Sequence, residues 1–136
     1  MEARTTTHDL RNAIGAAGEQ AVRERVAAAG WRIVDHNVRW REGELDLIAL
    51  DRSTLVFAEV KTLRARSGAA PFSPFESIGP RKQNQIRMLA RRWLVDESRR
   101  MNLQQGRFSA FRFDAFAVTL GPSGEVLEFE HLEDAF

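Results

Sequence analysis

The sequence contains no cysteine among its 136 residues. This absence excludes disulfide bonds, thiolate metal sites and a cysteine nucleophile. No apolar run approaches the length that spans a membrane, and residues Met1 to Thr7 lack the apolar core of a signal peptide. We therefore expect a cytoplasmic protein with no membrane partner, and a chain of this length suits a single domain over residues 1–136.

An excess of charge of one sign is also absent. The formal net charge is only +1, so the charge of the whole molecule does not indicate a nucleic-acid partner. The distribution of the charges is more informative, because arginines are frequent between Arg64 and Arg100 while carboxylates gather near the C-terminus. The sequence is therefore compatible with a local basic surface on a nearly neutral protein.

The stretch from Gly43 to Thr62 has the most pronounced pattern in the chain. Two apolar runs flank a polar break at residues 51–54, which is typical of a β-hairpin with buried strands. Pairing Leu50 with Leu55 across this break then fixes the register of the two strands.

Four ionisable residues interrupt these apolar runs, namely Glu44, Asp46, Glu59 and Lys61. The register predicts Asp46 opposite Glu59 and Glu44 opposite Lys61, all on one face, because side chains alternate along a strand. Opposed carboxylates repel each other, and a divalent cation would offset that repulsion. The alternative is a simple ion pair of Glu44 with Lys61 beside a polar strand-edge aspartate. The covered apolar neighbours favour a functional site.

An aspartate on one strand and Glu-x-Lys on the next resemble the signature of the PD-(D/E)xK nuclease superfamily. The wider pattern is similar to the YraN-like family of small bacterial predicted endonucleases, which is itself similar to archaeal Holliday-junction resolvases. That pattern comprises Gly18-Glu19 in a first helix, Asn37 and Arg39 before the hairpin, and the segments Gly-Glu-Leu-Asp-Leu-Ile-Ala and Phe-Ala-Glu-Val-Lys. The resemblance extends from about Ile14 to Val118, and Leu45 stands where the superfamily name has a proline.

The resemblance implies a metal-dependent endonuclease that hydrolyses phosphodiester bonds in DNA, with branched DNA as the substrate of the related resolvases. It implies Mg²⁺ or Mn²⁺ as the cofactor, held by Asp46, Glu59, Glu19 and the backbone carbonyl of Val60. Lys61 would orient a water or stabilise transition-state charge, and Glu44 would tune Lys61 or hold a further water.

Two other functions remain open, a catalytically silent nucleic-acid-binding module on the same fold and a regulatory partner protein whose charged residues form only a salt-bridge cluster. The resemblance to resolvases also allows a homodimer.

The residues from Leu10 to Ala29 are predicted to form a helix, with Gly30 as its C-terminal cap. Glu19 lies on this helix among small residues, which allow a close approach to a sheet. It either pairs in solvent with Arg23 one turn further on or, as the resemblance implies, lies beside the metal. We interpret the lone His36 as a surface residue.

The basic residues that follow the hairpin are candidate phosphate contacts. Residues 63–76 are expected to form a mobile loop that carries Arg64 and Arg66. A second helix is predicted from Pro80 to about Arg100, with Arg81 and Lys82 near its start, where free backbone N–H groups also attract anions. The alternative is an ordinary solvated surface.

The predicted order of elements is helix, three strands, helix, strand and strand. Antiparallel strands followed by a helical crossover give a mixed sheet with helices packed on it. We therefore predict an α/β protein with a restriction-endonuclease-like αβββαβ core plus one C-terminal strand. Asp114 is expected to pair with an arginine, and residues 1–8 and 133–136 are expected to fray.

Overall fold

A five-stranded mixed sheet forms the frame of the protein. The computed structural model describes residues 7–65, 74–98 and 108–136. In chain order the elements are α1 (Thr7–Ala28), β1 (Arg32–Trp40), β2 (Gly43–Asp51), β3 (Thr54–Arg64), a short 3₁₀ helix (Pro74–Ser77), α2 (Pro80–Ser98), β4 (Ala110–Leu120) and β5 (Val126–Leu132).

The strands lie in the sheet in sequence order. Among these strands β3 and β4 are the parallel pair, and the other neighbours are antiparallel. A parallel pair needs a crossover connection, and α2 lies in the chain between β3 and β4. The predicted αβββαβ core with an added C-terminal strand is therefore confirmed.

The two helices cover opposite faces of the sheet. On one face the buried residues of β2 and α2 pack together: Ile48, Leu50, Ile86, Leu89 and Trp93. On the other face the buried residues of β2 and α1 pack together: Leu47, Ala49, Val22 and Val26. Burial on both faces explains why the apolar runs of the hairpin are nearly continuous rather than alternating.

Helix α1 ends in a hydrogen-bonded cap. The Trp31 N–H donates to the Val26 carbonyl at 2.9 Å, and the Gly30 N–H donates to the Ala27 carbonyl at 3.0 Å. Gly30 has a φ of 94°, a left-handed conformation that glycine adopts without steric cost. The predicted end of the helix is thus confirmed. Neither α1 nor α2, the helices of the described ranges, is long and apolar enough to cross a membrane.

The β2–β3 hairpin has the predicted register and a tighter turn. Leu50 pairs with Leu55, as expected, and Asp51 also pairs with Thr54. The loop is therefore only residues 52–53, and not the four residues predicted. Arg52 has a φ of 57°, a positive value of the kind that two-residue hairpin turns require.

Strand β1 is irregular in its pairing and in its backbone. Its pairing with β2 shifts between Ile33 and Asp35, which indicates a β-bulge. Asn37 has a φ of 50°, and asparagine tolerates this left-handed conformation better than most residues. The pairs on either side, Val38–Leu45 and His36–Leu47, bracket Asn37 against Asp46 on β2.

The C-terminal residues are ordered against the core, so the predicted fraying of residues 133–136 is wrong. The Ala135 N–H donates to the Phe113 carbonyl at 2.7 Å, and the Phe136 ring stacks on Phe113 with ring centres 5.5 Å apart. The aromatic burial offsets the entropy of ordering the chain end.

The expected mobile loop at residues 63–76 is shorter at both ends, because β3 continues to Arg64 and the 3₁₀ helix begins at Pro74. Residues 66–73, like residues 1–6, lie outside the described part of the chain.

Candidate metal centre

The candidate site lies where β2 and β3 separate. The last pair of the hairpin is Leu47–Ala58, one position short of the predicted Asp46–Glu59 pair. Beyond this point the Val60 N–H donates to Asp46 Oδ2 at 2.9 Å. The aspartate side chain therefore replaces a backbone acceptor between the diverging strands, and it is only 5% exposed.

Glu19 and Glu44 converge on Asp46 at this position. One carboxylate oxygen from each of the three residues lies within 4.8 Å of the other two. Mg²⁺ and Mn²⁺ prefer oxygen ligands, so three carboxylates at this spacing could hold a divalent cation. We call these three residues the carboxylate cluster.

The position of Glu19 depends on its neighbour Gly18. A Cβ atom at Gly18 would lie 1.9 Å from Thr62 Oγ1 on β3, so a larger residue would push α1 away from the sheet. The close approach of α1 brings Glu19 to the end of the hairpin. Arg23, the alternative partner of Glu19, instead donates to Gln20 at 2.8 Å.

Asn37 holds the carboxylate of Glu19. Its Nδ2 donates to Glu19 Oε2 at 2.7 Å, and its Oδ1 lies 2.9 Å from His36 Nδ1. The left-handed backbone of Asn37 is the kind of local strain that accumulates at functional sites. Sequence reasoning named Asn37 only as part of the family pattern and assigned it no role, although an asparagine within a strand pattern is itself a signal.

Glu59 lies on another side of Asp46 and outside the carboxylate cluster. The Asp46 and Glu59 carboxylates are close enough for each to affect the pKa of the other, although the strand ladder ends one pair before them. Lys82 Nζ, from the first turn of α2, lies 3.6 Å from Glu59 Oε1. Asp46 thus joins the carboxylate cluster to a Glu59–Lys82 ion pair.

The electrostatics of Asp46 and Glu59 show that negative charge is not fully compensated here. Burial, and then the charge of Glu59, raise the pKa of Asp46 to about 8, although the Val60 N–H opposes the shift. Burial also raises the pKa of Glu59, against the opposing charge of Lys82. Bound protons therefore lower the charge of the metal-free site, and a cation would take over that task.

The predicted pairing of Glu44 with Lys61 is not formed. The hairpin ladder ends before these residues, and Glu44 pairs across β1–β2 with Arg39, whose Nε lies 3.1 Å from Glu44 Oε2. Lys61 is half-buried. Its side chain makes no ion pair or hydrogen bond with the residues that the structure describes.

Two of the basic candidates, Arg81 and Lys82, line an open depression at the start of α2. This depression of about 400 Å³ is lined by Ser77, Gly79, Arg81, Lys82 and Gln85. Lys82 also contacts Glu59, so the depression adjoins the candidate site. Arg64 is exposed at the end of β3, and Arg66 lies outside the described residues.

Helix α2 also fixes the turn between β1 and β2. The Gln85 side-chain amide donates to the Glu42 carbonyl, and Arg92 Nη1 donates to Glu42 Oε2 at 2.9 Å. These contacts attach the start of the Glu44-bearing strand to the helix that carries Lys82. These contacts therefore fix the position of the Glu44-bearing strand relative to the basic depression.

Comparison with known proteins identifies the family. Residues 18–118 match the model of the Uncharacterised protein family UPF0102, and the chain belongs to this family. A UPF0102 protein of Rhodococcus jostii (strain RHA1) is 43% identical over 129 residues, which is 95% of this chain and 98% of that protein. A UPF0102 protein of Frankia alni is 42% identical over 126 residues, covering 93% and 96% of the two chains. The predicted YraN-like resemblance is thus confirmed, and the relatives' names assign no activity.

Proposed function

We propose that this member of UPF0102 is a metal-dependent endonuclease that hydrolyses phosphodiester bonds in DNA. The observation that carries this proposal is the convergence of Glu19 and Glu44 on the buried Asp46. Burying one carboxylate beside two half-buried ones is costly unless a cation compensates their charge. Strongly perturbed ionisable groups of this kind cluster at functional sites.

The donor set fits Mg²⁺ or Mn²⁺. Asp46 would be the central ligand, with Glu19 and Glu44 of the carboxylate cluster within reach of the same cation. The family resemblance adds Glu59 and the Val60 carbonyl as further ligands. The hydrogen bond from the Val60 N–H fixes the Asp46 carboxylate, and Asn37 fixes that of Glu19. When bound, the metal would polarise the scissile phosphate and lower the pKa of a bound water.

The remaining residues of the site have separate roles in the proposal. Lys61 follows Glu59 by two positions on β3, so both side chains point to the same face. Its ammonium would orient the attacking water or stabilise charge that develops on the phosphate. Glu44, which Arg39 holds in place, would orient a second water.

DNA is the proposed substrate, bound through its phosphates. Arg64, Arg66, Arg81 and Lys82 would contact the backbone without reading the base sequence. Selectivity for branched DNA rests on the analogy with resolvases. A four-way junction is two-fold symmetric, so that substrate would match a homodimer.

A catalytically silent nucleic-acid-binding module is the alternative function. The carboxylate cluster weighs against it, because carboxylates beside a phosphate-binding surface repel the ligand unless a cation lies between them. A module that only binds DNA gains nothing from Asp46 or Glu59.

A nuclease assay with Mn²⁺ on branched, linear duplex and single-stranded DNA tests the proposal. Wild-type protein should cleave at least one substrate, and Lys61→Ala and Asp46→Asn should abolish cleavage. Glu128→Gln is the matched control, because Glu128 is exposed on β5. DNA binding without cleavage would favour the silent module, and a protein that binds no Mn²⁺ by calorimetry would exclude the metal-dependent endonuclease.

A further inference from the structure

We propose that Lys82 is a built-in counter-ion of the candidate metal centre, which a divalent cation displaces from Glu59 so that Lys82 can bind a DNA phosphate. This inference rests on the proposed function, since it requires the site to bind a divalent cation. It goes further because it makes the metal site and the phosphate contact depend on each other.

The Glu59–Lys82 ion pair has the geometry of a weak contact. Its N–O distance is 3.6 Å, whereas charge-assisted hydrogen bonds between ammonium and carboxylate groups are about 2.7–2.9 Å long. The Lys82 side chain is 37% exposed and that of Glu59 is 14% exposed. A lysine ammonium is a point charge on a flexible stem, so Lys82 can move away at little cost while Glu59 stays in place.

Lys82 supplies the positive charge that partly compensates Glu59. Within the described residues Arg39 pairs with Glu44, and Lys82 is the cation in contact with Glu59. A divalent cation at Glu59 would supply more positive charge at shorter range than Lys82. It would also repel the ammonium, so both effects favour release of Lys82.

The depression at the start of α2 can accept the Lys82 side chain after its release from Glu59. Lys82 already lines the depression at the start of α2, together with Arg81, Ser77 and Gly79. The first turn of a helix offers free backbone N–H groups, which favour anions. A phosphate bound here would therefore gain an ammonium contact only after Lys82 has left Glu59. By thermodynamic linkage, metal and DNA would each increase the affinity for the other.

Metal binding without DNA gives the first test. Lys82→Met keeps the apolar stem and removes the competing charge, so Mn²⁺ should bind roughly three- to tenfold more tightly than to the wild type. Arg81→Met is the matched control, since Arg81 lines the same depression and has no ion pair within the described residues. Its Mn²⁺ affinity should equal that of the wild type by isothermal titration calorimetry.

DNA binding with and without Ca²⁺ gives the second test, on a duplex oligonucleotide over a salt series. Without a divalent cation, Lys82→Met should leave the affinity and its salt dependence unchanged. With Ca²⁺, the variant should bind more weakly, and the slope of log affinity against log salt should be flatter by about one unit. Arg81→Met should lose one unit of slope in both conditions.

The outcomes separate this inference from the proposed function. If Lys82→Met has the Mn²⁺ affinity of the wild type, or loses DNA affinity equally with and without Ca²⁺, the exchange is excluded while the metal centre stands. If the wild type binds no Mn²⁺, both proposals fail. In a Glu59→Gln background Lys82 should contact DNA even without Ca²⁺, and the Ca²⁺ dependence should disappear.

Discussion

Two buried aspartates on the same sheet respond to burial in opposite ways. Asp46 on β2 is 5% exposed and Asp114 on β4 is 0% exposed. The pKa of Asp46 is raised to about 8, whereas the pKa of Asp114 is lowered. The residue type and the burial are alike, so the difference comes from the partners.

Asp114 has every partner that a buried carboxylate needs. Arg112 donates to both of its oxygens, at 2.9 and 3.1 Å. His131 Nε2 lies 2.8 Å from Oδ2, and the Asp134 N–H donates to Oδ1 at 3.0 Å. Burial alone would raise the pKa of Asp114, and these hydrogen bonds more than reverse that effect. The network joins β4, β5 and the C-terminal residues, so its role is structural.

Asp46 accepts a hydrogen bond from one backbone N–H, that of Val60, and it lies close to other carboxylates. Asp114 therefore has cationic partners, whereas Asp46 makes no ion pair with the residues that the structure describes. Burial of an acidic residue does not by itself mark a functional site, and uncompensated burial is the more specific signal. The contrast predicts opposite results when each aspartate is replaced.

Asp114→Ala should give the largest effect, a loss of about 3–5 kcal/mol in the free energy of unfolding, because it removes a buried carboxylate from its network and leaves the half-buried Arg112 without its main partner. Urea denaturation measures the change. The Glu133→Ala control removes only an exposed partner of Arg112 at 3.4 Å and should cost less than about 1 kcal/mol.

The Asp114 effect should also depend on pH. A carboxyl group with a lowered pKa in the folded protein stabilises it above the ordinary pKa of 3.8 and loses that contribution as the pH falls through the lowered value. The gap between wild type and Asp114→Ala should therefore narrow in acid. A small stability loss that is constant with pH would contradict the structural role of Asp114.

Asp46→Asn should not destabilise the metal-free protein and should stabilise it at higher pH. Between the ordinary pKa of 3.8 and the raised value of about 8, the folded protein binds more protons at Asp46 than the unfolded chain. Wild-type stability therefore falls as the pH rises through this window. We expect the variant to gain on the order of 1–3 kcal/mol relative to wild type near pH 8.

Thermal melting in the presence of a chelator measures the Asp46→Asn effect. Addition of Mn²⁺ should then raise the melting temperature of the wild type and not that of Asp46→Asn. A large loss of stability in Asp46→Asn with the chelator present would show that Asp46 has a structural role like that of Asp114. It would contradict the proposed difference between the two aspartates.

Gly18→Ala should destabilise the protein by about 1–3 kcal/mol, because the new methyl group overlaps Thr62 and overpacks the α1–β3 contact. Displacement of α1 should also move Glu19 and weaken Mn²⁺ binding. Gly15→Ala is a matched control on the same helix, since a Cβ atom there meets nothing within 4 Å. The control should be stabilised by about 0.5–1 kcal/mol through helix propensity.

The sequence was sufficient for those features that depend on local pattern. The apolar runs and the Leu50–Leu55 pairing predict the hairpin, and the closeness of Asp46 and Glu59 follows from strand alternation. The sequence also predicts that Asp114 pairs with an arginine, and Arg112 confirms it. Each of these features needs only neighbours along a strand or across one turn.

The features that the sequence did not predict depend on contacts between distant elements. The partner of Glu44 is Arg39 because of the β1–β2 register, which the pattern of β2 and β3 does not determine. The contact of Lys82 with Glu59 depends on where α2 crosses the sheet. Ordering of the C-terminal residues depends on a site at Phe113 that only the folded core provides.

Asn37 variants should separate backbone strain from hydrogen bonding at the carboxylate cluster. Asn37→Gly keeps a residue that tolerates a φ of 50° but loses the amide that holds Glu19, so Mn²⁺ affinity should fall about tenfold with little loss of stability. Asn37→Ala should show the same loss of affinity and an added strain of about 1 kcal/mol. Equal Mn²⁺ affinity in Asn37→Gly and wild type would show that Asn37 serves only the bend of β1.

The smallest effects should come from single phosphate contacts. Neutralising Arg64, Arg66 or Arg81 should each flatten the plot of log DNA affinity against log salt by about one unit or slightly less. The loss should be similar for unrelated DNA sequences, because phosphates carry no sequence information. Lys61→Ala should differ, with only modestly weaker binding and no cleavage.

Arg25→Met provides the matched control for the phosphate contacts. Arg25 lies over the Phe129 ring of β5, 4.3 Å from its centre, and β5 also carries the exposed Glu128 and Glu130. Its removal should leave the salt slope unchanged, because acidic neighbours disfavour DNA there. If Arg25→Met flattened the slope as much as Arg64→Met does, DNA binding would follow general surface charge. The candidate phosphate contacts would then be ordinary solvated side chains.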